Sequence, residues 1–162
     1  MTHAWRLPSA LDTEALGVAL GLGCPWSERQ ARIIFLRGEL GAGKTTLAAA
    51  MLKALGTDEV VRSPTYSLIE TYQLSAGVAV HIDLYRLLGI DELEQLGLRD
   101  YLIPSTLLLI EWPERAEAGL PSPDLEVQLQ ICEQGRVCGM AARSDGGELW
   151  LSAVRERIPD LI

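Results

Sequence analysis

The stretch "RIIFLRGELGAGKTTLAAAMLKALG", Arg32 to Gly56, decides the fold. Its first seven residues, Arg32 to Gly38, are a short β-branched apolar run ending in glycine, the pattern of a buried strand feeding a turn. From Leu47 to Leu55 only Lys53 is charged, so an alanine-rich helix covered on most sides follows, stopped by Gly56. Between them Gly38-Glu39-Leu40-Gly41-Ala42-Gly43-Lys44-Thr45 satisfies G-x-x-x-x-G-K-[ST] in full. Strand, glycine loop and buried helix in that order are the context a phosphate-binding loop demands. Glycines let such a loop wrap close to phosphate oxygens, so that backbone N–H groups and the positive end of the helix face the anion. Glu39 to Thr46 would then form the cradle, with Lys44 reaching the β and γ phosphates and the Thr45 hydroxyl entering the shell of a Mg²⁺.

A phosphate cradle also requires a carboxylate on the metal side, at the carboxyl end of a neighbouring strand. Two acids have that placement: Asp83 after "VAVHI" and Glu111 after "LLLI". His81 alternates with Asp83 and so shares its face of the strand. Trp112 follows Glu111 at the rim, and Pro113 ends the strand because it has no N–H for the ladder.

Working outward, the remaining segments alternate without a linker. Ser9 and Asp12 have the spacing of a capping box, and Leu11, Ala15, Ala19 and Leu22 recur at helical intervals, predicting an amphipathic first helix. "YSLIETYQL" and "VAVHIDLYRL", parted by Ser75, Ala76 and Gly77, read as a hairpin. "GIDELEQLGLRDYL" predicts a short helix with a glycine break, "STLLLIEW" a buried strand, and "PERAEAGLPSPD" a surface loop. "LEVQLQICEQGRVCGMAARS" alternates on both sides of Gln134, Gly135 and Arg136, the pattern of an antiparallel hairpin, and an amphipathic helix is expected over Leu149 to Arg157. The fold class is α/β: a P-loop NTPase-like mixed sheet, with a parallel core, antiparallel strands and a C-terminal hairpin, flanked by helices. A single domain over residues 1–162 is expected.

Composition limits the partners. With 14 Lys and Arg against 22 Asp and Glu, the formal charge is −8, a field that repels nucleic-acid backbones. Three widely spaced cysteines, Cys24, Cys132 and Cys138, show no metal-ligand pattern and predict reduced thiols without disulfides in a cytoplasmic protein. The uncharged run Ala15 to Cys24 follows Asp12 and Glu14, the wrong flank for an export signal, and no apolar run approaches the ~18 residues of a membrane span. The chain has no asparagine and no Asp-x-x-Gly, so the guanine-reading element of GTPases is absent and adenine is the expected base. Its arginines are scattered, which weakens a small-molecule kinase reading; a nucleotide-gated binding module is a further alternative.

The runs "GELGAGKTT", "SPTYSLIETY", "HIDLYRL", "ELEQLGLRDYL" and "IEWPE" together resemble the TsaE (YjeE) family, in family order and over nearly the whole chain. The resemblance implies a small ATPase of bacterial tRNA threonylcarbamoyladenosine synthesis at position 37, using ATP and Mg²⁺. It implies partnership with TsaB and TsaD, which perform the transfer, so that tRNA is met only indirectly through that complex. It makes Thr65 a switch residue sensing the γ phosphate or metal, Asp83 the organiser of attacking or metal-bound water, and Glu111 the acid beside Mg²⁺. It brings the Gly135-Arg136 turn toward the adenine. With no residue that must act as an arginine finger in cis, weak activity alone and stimulation by the partners are expected.

Overall fold

The computed structural model describes residues 3–64 and 66–159. Seven strands form one sheet in the order β1-β7-β6-β2-β5-β4-β3. The parallel core is β6 (Leu125–Cys132), β2 (Arg32–Arg37), β5 (Thr106–Glu111) and β4 (Val78–Asp83). Antiparallel strands extend both edges: β3 (Ile69–Gln73) beside β4, and β7 (Gly135–Ala142) then β1 (His3–Leu7) beyond β6. β2, β4 and β5 are buried nearly throughout because helices or turns cover both faces, whereas β6 alternates. All six residues of β5 are buried.

Alternation along each strand divides the core. Ile34, Leu36, Leu107 and Leu109 face α1 (Ala10–Gly23), α2 (Lys44–Ala54) and α4 (Asp145–Arg157), whereas Ile33, Phe35, Leu108 and Ile110 face α3 (Ile90–Gln95) and the 3₁₀ turns after it. Leu16, Leu20, Leu47, Met51 and Trp150 fill the first layer, and the Trp150 indole N–H donates to the Leu20 carbonyl at 2.8 Å.

The capping box is present: the Ser9 hydroxyl accepts from Asp12 N, and the Asp12 carboxylate accepts from Ser9 N at 2.8 Å. Of the predicted apolar stripe of α1, Ala19 is buried but Leu11, Ala15 and Leu22 are exposed; the helix also buries Leu16, Gly17, Leu20 and Gly21. The reason is close approach to α2. A Cβ on Gly17 would lie 2.6 Å from the Leu47 carbonyl oxygen, and one on Gly21 would lie 2.7 Å from that of Met51. Small residues, invisible to a hydrophobicity pattern, make the contact face.

Other boundaries shift for local reasons. α2 starts at Lys44 and not at Leu47, so the motif lysine opens the helix. α4 starts at Asp145, capped by the Ser144 hydroxyl, with Gly146 and Gly147 inside its first turn. The expected loop after Trp112 contains two 3₁₀ turns, Pro113–Arg115 and Glu117–Gly119. The C-terminal turn is Glu133-Gln134; Gly135 pairs with Cys132, and Arg136 already lies in β7 between Ile131 and Leu7. Strand β1, whose Trp5 and Leu7 are buried, was not foreseen from its five residues.

Candidate functional site

The carboxyl ends of β2, β4 and β5 open into a cleft of about 500 Å³ lined by Leu40, Gly41, Gly43, Lys44, Thr45, Thr46, Ser63, Asp83, Tyr85, Arg86, Glu111, Trp112 and Arg136. Such crevices beyond strand carboxyl ends are where open α/β sheets place ligands. Gly43, the residue before α2, sits at φ 107° and ψ 15°, left-handed territory that costs glycine nothing, and it offers no side chain to cap the helix. The first-turn N–H groups of α2 therefore lack a side-chain cap at the cleft end of the helix, which is an anion-binding terminus.

Lys44 is folded back. Its ammonium donates to the Gly38 carbonyl at 2.6 Å and to that of Glu39 at 2.9 Å, and it stands 4.1 Å from the centre of the Trp112 ring. Burial pulls its pKa below the ordinary lysine value, against the opposing pull of Glu111, Glu114, Asp83 and Glu39. Trp112 itself adopts φ 57° and ψ 46°, an uncommon conformation for a bulky residue, and its ring lies 4.8 Å from that of Tyr85. The Arg115 guanidinium packs over Tyr85 at 5.2 Å, so cations and aromatic rings alternate along the rim.

Both acids face this cleft. Asp83 and Glu111 are partners in the β4–β5 register and lie on the α2 side of the sheet. The Thr45 hydroxyl donates to the Glu111 carboxylate at 3.2 and 3.3 Å from its two oxygens. Asp83 accepts from the Ser63 hydroxyl and from Tyr85 N, the latter at 2.9 Å. Behind the acids, His81 is fully buried with Nε2 3.1 Å from Glu111 Oε1.

Of the residues singled out from sequence, Leu40, Gly41, Gly43, Lys44, Thr45, Thr46, Asp83, Glu111 and Arg136 line one cleft. Glu39 contributes its carbonyl to Lys44, and Ala42 is fully buried beneath the loop. Gly135 points elsewhere: a Cβ there would strike the Leu7 carbonyl oxygen and Pro8, on the β1 side. Arg136 reaches back over the loop and donates to the Gly41 carbonyl at 3.3 Å. Thr65 lies outside the described residues. Ser63 and Tyr85 were missed; each neighbours a motif residue, Ser63 before Pro64 and Tyr85 two after Asp83, and that adjacency was the available signal. A larger depression of about 800 Å³, beside α3, contains none of the predicted site residues.

The cleft's donor set suits a nucleotide with Mg²⁺. Thr45 and the two carboxylates offer hard oxygens, and an uncapped helix end with a lysine faces them. Among the described residues no group of three or more His, Cys, Asp or Glu gathers to hold a metal. A Mg²⁺ here would be completed by phosphate and water oxygens, its usual habit.

Comparison with known proteins agrees. Residues 7–138 match the family model "Threonylcarbamoyl adenosine biosynthesis protein TsaE". The tRNA threonylcarbamoyladenosine biosynthesis protein TsaE of Haemophilus influenzae is 40% identical over 124 residues, covering 76% of this chain and 78% of that one. Its Bacillus subtilis counterpart is 36% identical over 126 residues, covering 78% and 76%. The crystal structure of Bacillus subtilis YdiB superposes with a TM-score of 0.78 over 96% of this chain and 95% of that one, at 23% identity, a likeness of fold. With cleft, motifs and matched span in agreement, the chain belongs to the TsaE family of P-loop ATPases and takes part in tRNA threonylcarbamoyladenosine biosynthesis.

Proposed function

We propose that this protein binds ATP with Mg²⁺ in the Glu39 to Thr46 cradle and hydrolyses it slowly, and that the TsaB and TsaD proteins complete the site and are reset by that hydrolysis. What supports this is the meeting of Thr45 with Glu111, at 3.2 Å, in the same cleft as Lys44 and Asp83. In P-loop proteins the hydroxyl after the motif lysine binds Mg²⁺, so the acid hydrogen-bonded to that hydroxyl is the acid nearest the ion. When bound, Mg²⁺ would be held on the side of Thr45 and Glu111 and would supply positive charge against that building on the transferred phosphoryl.

The chain's own residues supply the rest. Lys44 leaves the Gly38 and Glu39 carbonyls and turns its ammonium to the γ phosphate, and its depressed pKa recovers as phosphate charge arrives. The N–H groups of the loop and of the first turn of α2 hold the β phosphate. Asp83, fixed by Ser63 and Tyr85 N, orients the attacking water, while Glu111 keeps the metal side. Arg136 steadies the loop from β7 through the Gly41 carbonyl and approaches the adenine on the family pattern. Thr65 acts, on the family pattern, as a switch residue sensing the γ phosphate or the metal. The acidic surface suits a protein that meets tRNA only through its partners.

A pull-down against TsaB and TsaD with ATP, ADP or no nucleotide, paired with phosphate release, tests this. Nucleotide-dependent capture is expected, together with turnover that rises markedly on adding both partners and is lost in Glu111→Gln. Equal turnover with and without partners would refute the completed-site mechanism. Modification at a normal rate by the Glu111→Gln variant would refute the need for hydrolysis.

A further inference from the structure

His81 touches the site only through Glu111. It is fully buried, does not line the cleft, and has Nε2 3.1 Å from Glu111 Oε1 while Nδ1 has no hydrogen-bond partner. An ionised carboxylate can only accept, so in this hydrogen bond Nε2–H is the donor. On its own face of β4 it is flanked by Ala79 and Asp83, and across the register it meets Leu109 of β5 and Glu70 of β3. An imidazole with an orphaned nitrogen is a costly occupant of a fully buried place, since an unmade buried hydrogen bond is unfavourable. Among the described residues the hydrogen-bond partner that offsets this cost is Glu111.

Glu111 shows what it does. The carboxylate is held from one side by the Thr45 hydroxyl and from behind by His81. When Thr45 turns its oxygen to a metal, that first restraint is released. Among the described residues the imidazole is then the carboxylate's remaining hydrogen-bond partner. We propose that His81 is a positioning residue of the ATPase site, donating Nε2–H to Glu111 Oε1 so that the carboxylate stays aimed at the metal side of the cleft. Partners behind an acid in this way set both orientation and metal affinity. The inference rests on the nucleotide and Mg²⁺ reading above and names a residue which that reading does not use.

The test compares His81→Asn, whose amide nitrogen ends near the Nδ1 position and falls short of Glu111, with His81→Gln, whose amide reaches the Nε2 position. ADP affinity is measured by calorimetry in EDTA and then over a Mg²⁺ titration, and ATP turnover is followed with both partner proteins. For His81→Asn, ADP affinity in EDTA is expected to stay at the wild-type value, while half-saturating Mg²⁺ rises and kcat falls, each ~10-fold or more, with KM for ATP little changed. His81→Gln is expected to recover most of both losses. Identical behaviour of the Asn and Gln variants, or wild-type Mg²⁺ dependence in His81→Asn, overturns the proposal. Thermal melts identify a variant that fails to fold, and His81→Leu then serves as the loss variant against Gln. If the wild-type protein binds no ADP, the ATPase reading itself falls, and this inference with it; a normal wild type beside an unaffected variant removes the inference alone.

Discussion

Gly17→Ala adds one methyl group where α1 and α2 approach most closely. The new Cβ would lie 2.6 Å from the Leu47 carbonyl oxygen and 2.7 Å from the Ala50 Cβ, where ordinary contact begins at 3.4 Å. The opposing oxygen belongs to the α2 backbone and cannot rotate away, so α1 must retreat by about 0.8 Å along much of the contact. Overpacking of this kind costs about 1–3 kcal/mol. Replacing a mid-helix glycine with alanine returns roughly 0.5–1 kcal/mol through helix propensity. Loss should win, by about 1–2 kcal/mol, or a fall in Tm of roughly 2–8 °C for a chain of this size. Urea unfolding followed by circular dichroism measures it, with Gly21→Ala as a second probe, since its Cβ would meet the Met51 carbonyl oxygen at 2.7 Å. The effect should also reach the site, because Leu47 lies one turn beyond Lys44 and a displaced α2 carries the loop with it; weaker ADP binding is the expected sign. If Gly17→Ala is as stable as wild type or more so, propensity has won and the helices are not in the close contact described.

Two further outcomes concern stability. Burial raises the Glu126 carboxyl, but hydrogen bonds from Arg143 at 2.7 Å and Arg37 at 3.2 Å outweigh it and hold the group below its ordinary value of 4.5. A depressed folded pKa stabilises above the unfolded value and is lost as pH falls through the folded one, so Glu126→Gln should cost about 0.5–1 kcal/mol at pH 7 and progressively less as pH falls below 4.5. A gap of equal size at pH 3 and pH 7 would contradict this. Asp124 accepts from Ile33 N at 2.9 Å, from Arg32 at 3.4 Å and from the Ser144 hydroxyl that caps α4. Asp124→Ala should cost about 2–4 kcal/mol by stranding a buried N–H and a half-buried guanidinium, measured by the same urea titration; a loss below ~1 kcal/mol would mean water replaces the carboxylate.

What could be read from the letters was what chemistry repeats locally. The loop motif, the strand before it and the helix after it are contiguous, so Gly38 to Thr46 was legible as one unit. The exposed stripe of α1 misled for the opposite reason. Its close contact with α2 is made at Gly17 and Gly21, residues whose value lies in what they lack, and hydrophobic periodicity scores them as nothing. The start of α4 was hidden in the same way: a Cβ on Gly147 would lie 1.9 Å from the Asp124 carbonyl oxygen, so the glycine is there for packing although it reads as a helix breaker. His81 was legible only as a neighbour of Asp83; its contact is with Glu111, thirty residues away, which no local pattern encodes.

The pairing of the two acids depends on register more than on either residue. β4 and β5 run parallel with Val78 opposite Thr106 and Asp83 opposite Glu111, so the two acids come abreast at the last pair of the ladder. Leu36 of β2 pairs with Glu111 on its other side, and Gly38 follows two residues later, so the loop begins where the acids end. In a strand the side-chain period is two, and a slip of one residue in β4 would turn Asp83 and His81 together toward α3, away from Lys44. The same slip would bring Val80 and Ile82 onto the α2 side and bury the acid among Phe35, Leu108 and Ile110. Such burial of an unpaired charge is prohibitive, so the apolar alternation that forms the core also excludes the one misalignment that would take the site apart.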